Sequence, residues 1–307
     1  MPGIVAAVRC PSFGAAIWAR LLLVGLLVGQ LAGCAWLDER QRMMALRPSP
    51  TQAGQIASAA TLFRPQDQRY ALPAAGDMVA IWWLPHADPQ APALLYLHGT
   101  FRNLYQNLSK IDALRNAGYS VMAVDYRGWG DSTALVPSEA SINADALLAW
   151  GEFQRRQSDP RKRVIFGHSM GGAVAVTLAS GLHGGKDYAA LVLESTFTRM
   201  PDVAAAAGFW GRIAAATTTL EFDSLSRIAR IDAPILMLHG DVDRTVPIAL
   251  GRRLHEAAPA GARWIAVPGG SHSRLHSEAP DIYQQALREL LDPTKLLPAR
   301  PSRAHSP

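Results

Sequence analysis

Ser169 stands between glycines in Gly167-His168-Ser169-Met170-Gly171, a G-x-S-x-G pattern that follows the apolar run 164–166 and precedes a helical run from Ala173. A serine hydroxyl is a weak nucleophile until a base takes its proton, and a third group must fix the tautomer of that base. His272 follows a glycine pair in Gly269-Gly270-Ser271-His272, where the loop can curl an imidazole back over the sheet edge. Asp243, within residues 239–247, gives the chain order Ser, Asp, His with spacings of 74 and 29 residues. Asp241 and Glu194 are rival acids, and His276 is a rival base. Attack by the serine on a carbonyl creates an oxyanion that fixed N–H donors must meet. One expected donor is the backbone N–H of Met170, at the start of the helix after the nucleophile, where the helix dipole adds to the attraction.

Strands must deliver these residues. Short apolar runs at 79–84, 93–97, 120–124, 164–166, 190–193, 234–238 and 264–267 read as strands. From the second onward they lack polar alternation, as strands buried on both faces of a mostly parallel sheet do. Helical periods at 104–116, 140–157, 173–182 and 248–257 lie between them. Strand then helix, repeated, predicts one α/β domain. Ligands of such sheets bind at the carboxyl ends of the strands. That is where His98-Gly99-Thr100, residues 125–132, the serine turn, residues 239–247 and residues 268–272 all fall.

The serine turn, the H-G-x-x-D-x-x-V-P stretch at 239–247 and the G-G-x-H stretch at 269–272 together resemble the α/β-hydrolases over about residues 78 to 290. The D-Y-R-G-x-G-x-S segment at 125–132 and residues 222–228 are similar to small serine hydrolases of the Bem46-like esterase type. The resemblance implies the α/β-hydrolase fold: a mostly parallel central sheet, helices on both faces and a short lid over residues 197–232. It also implies Asp243 as the acid and the backbone N–H of Thr100 as the second oxyanion donor, with Phe101 taking that place if the loop register differs by one. His168 is expected to pack or hydrogen-bond within the turn, and His98 and His239 to tie loops at strand ends. Asp125 or Arg127 is expected in a buried ion pair, with the loop of Asp131 and Ser132 serving as architecture. In the lid, Phe209 and Trp210 would either wall an acyl site or belong to a helix pair packed on the core.

Thirty Lys and Arg against 25 Asp and Glu give a charge of +5. There is no dense basic run with interleaved aromatics, which argues against a nucleic-acid partner. No H-E-x-x-H or comparable carboxylate cluster occurs, so no metal or other cofactor is expected. The two cysteines, Cys10 and Cys34, both precede the catalytic motifs. Arg9 and Arg20 stand in an N-terminal stretch without acidic residues, followed by an apolar run at 21–32. That is the layout of a secretory signal. Leu31-Ala32-Gly33-Cys34 resembles the lipobox of bacterial lipoproteins, which implies removal of residues 1–33, acylation of Cys34 and attachment to a membrane of the bacterial cell envelope. Ala35 after the cysteine implies the outer membrane, facing the periplasm. The competing reading is an uncleaved anchor over 21–37, at the lower limit of a span. Residues 34–73 are then expected to be the acylated cysteine and a tether leading into the first ordered segments, 74–291 the hydrolase domain and 292–307 a proline-rich tail. The expected function is hydrolysis of small or acyl-chain carboxylic esters through an acyl-enzyme. Thioester or peptide cleavage and acyl transfer use the same machinery, and a non-catalytic envelope lipoprotein is the alternative of another class.

Overall fold

The computed structural model describes residue 33 and residues 35–292. The chain divides into two units, residues 1–41 and 42–307. Within the first, residues 35–41 are helical. The expected signal peptide apart from Gly33, the acylated Cys34, and the tail from residue 293 lie outside the described residues.

In the second unit, the apolar runs form the strands β2 (Asp77–Leu84), β3 (Ala93–Leu97), β4 (Ser120–Asp125), β5 (Arg163–His168), β6 (Ala190–Glu194), β7 (Ile235–Gly240) and β8 (Arg263–Val267), preceded by β1 (Gln68–Ala74). The sheet order is β1-β2-β4-β3-β5-β6-β7-β8. β1 with β2 and β2 with β4 are antiparallel, and every other pair is parallel. The fold is that of the α/β-hydrolases.

β1 lies at the end of the stretch that the sequence reading took as a tether leading into the first ordered segments. As an edge strand it pairs on one side only, and none of its residues is fully buried, so it lacks the apolar run that marks the inner strands. Leu46, earlier still in the supposed tether, is fully buried in the core. The folded unit therefore begins well before residue 74.

The helices are α1 (Ala53–Ala59), α2 (Leu108–Asn116), α3 (Glu139–Arg156), α4 (Met170–Ala179), α5 (Met200–Ala206), α6 (Phe209–Thr217), α7 (Leu225–Ile228), α8 (Ile248–Glu256), α9 (Leu275–Glu278) and α10 (Pro280–Arg288). Alternation along each strand sends side chains to two separate cores. Leu95, Leu97, Ile165, Leu191 and Leu193 meet α3 and α4 on one face. Leu94, Tyr96, Val164, Phe166 and Val192 meet α2 and α10 on the other. Burying each such side chain contributes about 1.5–3 kcal/mol, which holds the strand ends, and so the site, in fixed register.

In the lid, α5 packs against the core through the partly buried Met200 and Val203. Helices α5 and α6 have no buried residue and lie against each other, where a Cβ on Gly211 would fall 2.0 Å from the Ala204 carbonyl oxygen. Phe209 and Trp210 are 68% and 78% exposed, packed edge to face on one another rather than on the core.

Candidate active site

The turn from β5 into α4 holds Ser169 at φ 56° and ψ −123°, a conformation that side-chain-bearing residues rarely adopt. Close backbone approach explains the flanking glycines. A Cβ on Gly167 would lie 2.2 Å from the Gly171 carbonyl oxygen, and one on Gly171 would lie 2.0 Å from that of Leu97. Gly99, just after β3, abuts Ser169 itself, since its Cβ would fall 2.9 Å from the Cβ of Ser169. The strained residue is held at both ends: its N–H donates to the Glu194 carbonyl at 2.8 Å, and Thr196 Oγ1 donates to its carbonyl at 2.9 Å.

Loops after β7 and β8 bring the other two residues to it. His272 Nε2 lies 2.9 Å from Ser169 Oγ, and His272 Nδ1 lies 2.7 Å from Asp243 Oδ2. With Asp243 ionised, Nδ1 carries the proton and donates it to the carboxylate, leaving Nε2 as the acceptor for the serine hydroxyl. The second oxygen of Asp243 accepts from Thr245 N at 2.8 Å and Val246 N at 2.9 Å, which fixes the carboxylate plane. Burial by itself would push the Asp243 carboxyl up. His239 and His272, with the Val246 N–H, outweigh it and hold the group well below the usual carboxylate range. His239 Nε2 sits 3.4 Å from Asp243 Oδ2 and donates to the Val246 carbonyl at 3.0 Å, so it braces the acid loop from beneath.

The rivals have other partners. Asp241 Oδ1 accepts from Gly269 N at 2.7 Å, joining the acid loop to the base loop. Glu194 is fully buried, ion-paired with Lys110, and accepts from Tyr283 Oη at 3.0 Å. His276, on α9, is partly buried: its Nε2 lies 3.2 Å from Ser109 Oγ, and burial together with the Lys110 charge pushes its pKa down to about 4. His168 donates from Nε2 to the His272 carbonyl at 3.0 Å. Burial first, then the charges of Lys110 and His272, hold its pKa far below the ordinary value, so it stays neutral and serves to pin the base loop. His98 is buried 3.4 Å from Asp125. Arg127 pairs with Asp145 at 2.9 Å and Asp77 at 3.0 Å, while Ser132 Oγ accepts from Ala80 N at 2.8 Å.

Met170 opens α4, so its N–H has no partner within the helix. Thr100 and Phe101 follow β3, with Phe101 at φ 74°. Both line a pocket of about 180 Å³ together with Ser169, His168 and His272. No residue of α5 or α6 lines that pocket. The support given by Lys110 and Tyr283 was invisible in the sequence, where a lone lysine in a helical period reads as a solvated residue. The one available signal was that Lys110 interrupts the buried face of α2.

The family model described as serine aminopeptidase, S33, matches residues 88–222, a stretch that includes the serine turn and ends before Asp243 and His272. An uncharacterised protein of Mycobacterium tuberculosis is 33% identical over 270 residues, covering 84% of this chain and 89% of that protein. The lysophosphatidylserine lipase ABHD12 of Danio rerio is 32% identical over 194 residues, covering 58% of this chain and 50% of the lipase. Among solved structures, an alpha-beta hydrolase from Vibrio vulnificus superposes with a TM-score of 0.65 at 20% identity, over 82% of this chain and 92% of that one. An esterase from Pyrococcus furiosus superposes with a TM-score of 0.60 at 18% identity, over 74% of this chain and 90% of the esterase.

Proposed function

The chain belongs to the α/β-hydrolase family, and we propose that it is a serine hydrolase cleaving carboxylic esters through an acyl-enzyme on Ser169. The observation that carries the proposal is the continuous hydrogen-bonded line from Ser169 Oγ through both nitrogens of His272 to Asp243. In the first half-reaction Oγ bonds to the carbonyl carbon as its proton passes to His272 Nε2. The backbone N–H groups of Met170 and Thr100 receive the oxyanion. Collapse breaks the bond to the alcohol oxygen, which leaves with the proton from His272. Water then repeats the sequence, with His272 as base, and releases the acid and free Ser169. Asp243 orients the imidazole and stabilises its charged form throughout.

The small volume at Ser169 favours a short acyl group or the carbonyl end of a longer one. The resemblance to a lipase over half of that lipase's length supports acyl esters as the substrate class. The lipobox-like Leu31-Ala32-Gly33-Cys34 supports acylation of Cys34 and tethering in the bacterial envelope, at the outer membrane facing the periplasm. Incorporation of radiolabelled palmitate that a Cys34→Ala change abolishes is the expected result for that anchor.

A fluorophosphonate probe with p-nitrophenyl butyrate tests the reaction. The wild-type chain should label at Ser169 and turn over the ester, and Ser169→Ala should lose labelling and about 10⁶ in kcat. An unlabelled wild-type chain, or a Ser169→Ala chain with most of its turnover, overturns the proposal. A matched ester, thioester and amide panel with added alcohol separates hydrolysis of each bond from acyl transfer.

A further inference from the structure

An oxyanion donor has to keep its place while charge develops on the substrate, and a loop is less able than a strand to keep it there. Thr100 or, one residue on, Phe101 offers such an N–H after β3, and neither has an acceptor among the described residues. The residues that follow are tied down instead. Leu104 N donates to Asp125 Oδ1 at 3.0 Å, and Asn107 Nδ2 donates to the Asn103 carbonyl at 2.9 Å. Asn103 is fully buried. Its Oδ1 accepts from Gln106 N at 3.2 Å, while Nδ2 donates to the Ser49 carbonyl at 3.2 Å and to Gln55 Oε1 at 2.9 Å. A primary amide has two N–H donors, so Asn103 directs its whole donor capacity at acceptors 54 and 48 positions upstream.

Those acceptors are themselves held. Leu46 is fully buried in the core, the Ser49 carbonyl also accepts from Gly130 N at 2.9 Å, and Thr51 N donates to the Gly130 carbonyl at 3.0 Å. Gln52 N donates to Gln55 Oε1 at 3.0 Å, which steadies that oxygen for Asn103. Arg47 sets its guanidinium 4.9 Å from the centre of the Phe101 ring, on the residue whose φ of 74° turns the loop. We infer that residues 46–55 form a strap that positions the oxyanion loop through Asn103, making Asn103 and Gln55 positioning residues for the reaction at Ser169. The inference rests on the hydrolase proposal and adds to it a stretch of chain that lines no part of the Ser169 pocket. Removing an acceptor leaves a buried N–H unpaired, so the loop shifts to satisfy it and carries the oxyanion donor out of place. The interaction that suffers is made only once charge has moved to the carbonyl oxygen, so kcat falls while KM holds.

The test sets p-nitrophenyl butyrate turnover beside inhibition by butyl trifluoromethyl ketone. The ketone carbon bonds to Ser169 Oγ, the hydroxyl proton passes to His272, and with no leaving group the adduct stops at the oxyanion. Gln55→Leu removes the acceptor and should lower kcat about tenfold at nearly constant KM, while weakening the ketone by the same factor. Gln55→Glu keeps an acceptor oxygen and should bring both constants back to within about threefold of wild type. Asn103→Leu deletes every bond of the amide and should cost on the order of a hundredfold in both, approaching the loss of a donor outright. Ser58→Ala, also on α1, removes only a bond to the Gly54 carbonyl and should leave both constants as they are. Should Asn103→Leu fail to fold by circular dichroism, the two Gln55 variants decide. Undiminished ketone binding in Gln55→Leu, a loss of kcat without weaker ketone binding, or a Gln55→Glu chain as impaired as Gln55→Leu overturns the strap while the hydrolase proposal stands. A wild-type chain that neither labels with fluorophosphonate nor turns over the ester removes both.

Discussion

Replacing Asp243 by Asn exchanges one atom, so its consequence follows from where hydrogens can go. In the native chain Oδ1 accepts from Thr245 N at 2.8 Å and Val246 N at 2.9 Å, while Oδ2 faces His272 Nδ1 at 2.7 Å. Asn has a single acceptor for these two duties. With its oxygen against the two backbone N–H groups, its NH₂ faces His272. The flipped amide points two donors at an NH₂, costing about 1–3 kcal/mol for each buried donor left unpaired. The first orientation therefore prevails. Nδ1 must then accept, the ring proton moves to Nε2, and Ser169 Oγ, 2.9 Å away, meets a hydrogen where it needs a lone pair. The expected loss is about 10⁴ in kcat, or roughly 5.4 kcal/mol at 1.36 kcal/mol per decade. Steady-state turnover of p-nitrophenyl butyrate measures it, with circular dichroism melting to verify the fold. Asp241→Asn is the matched comparison, because its amide oxygen can still accept from Gly269 N, and its loss should stay within about tenfold. Asp243→Asn activity within tenfold of the native chain, or an equal loss in Asp241→Asn, would refute the assignment of the acid and the tautomer reasoning with it.

Two further outcomes concern the groups around the site. Lys110→Met should cost about 3–5 kcal/mol in urea unfolding by stranding the Glu194 carboxylate, and Lys110→Met/Glu194→Gln should recover most of that; a double variant as unstable as the single would show that the pair matters through packing alone. The depressed pKa of Asp243 stabilises the folded chain above the unfolded carboxylate pKa of about 4, and that contribution is lost as the pH falls toward the folded value. Acid titration of stability should therefore be steeper for the native chain than for Asp243→Asn, and parallel curves would contradict it.

The inner strands were legible because burial on both faces leaves one kind of residue to write them with. Ala93–Leu97 and Ala190–Glu194 are buried from end to end. Gln68–Ala74 was not legible, because an edge strand needs no apolar run and its Pro73 reads as loop. The three residues brought together at the site were legible from local signals: glycines that permit a sharp turn, and a polar residue directly after an apolar run. Their supports were not. His168 meets the carbonyl of a residue 104 positions away, and Lys110 meets Glu194 across 84 positions, so no periodicity or spacing could pair them. In the lid, residue type left Phe209 and Trp210 between an acyl wall and a helix pair on the core, and their exposure could not be read from type alone.

Backbone strain explains why the serine motif alone does not make the site. Phe101, Ser169 and Ser195 all have positive φ, of 74°, 56° and 50°, and they follow β3, β5 and β6, which are consecutive in the sheet. Each of two strained serines is held by a carbonyl from the next strand: Ser169 N donates to Glu194 O, and Ser195 N donates to Leu238 O, both at 2.8 Å. These bonds exist only in the register that sets His168 opposite Glu194 and Glu194 opposite Leu238. Slippage by one residue would release the turn and also invert every buried side chain on the slipped strand. The cost of the unfavourable turn is thus offset by the same hydrophobic register that closes the two cores. The geometry of Ser169 is accordingly a property of β3 through β7 together, and substitutions in β6 or β7 that disturb register should damage its labelling without touching any residue of its pocket.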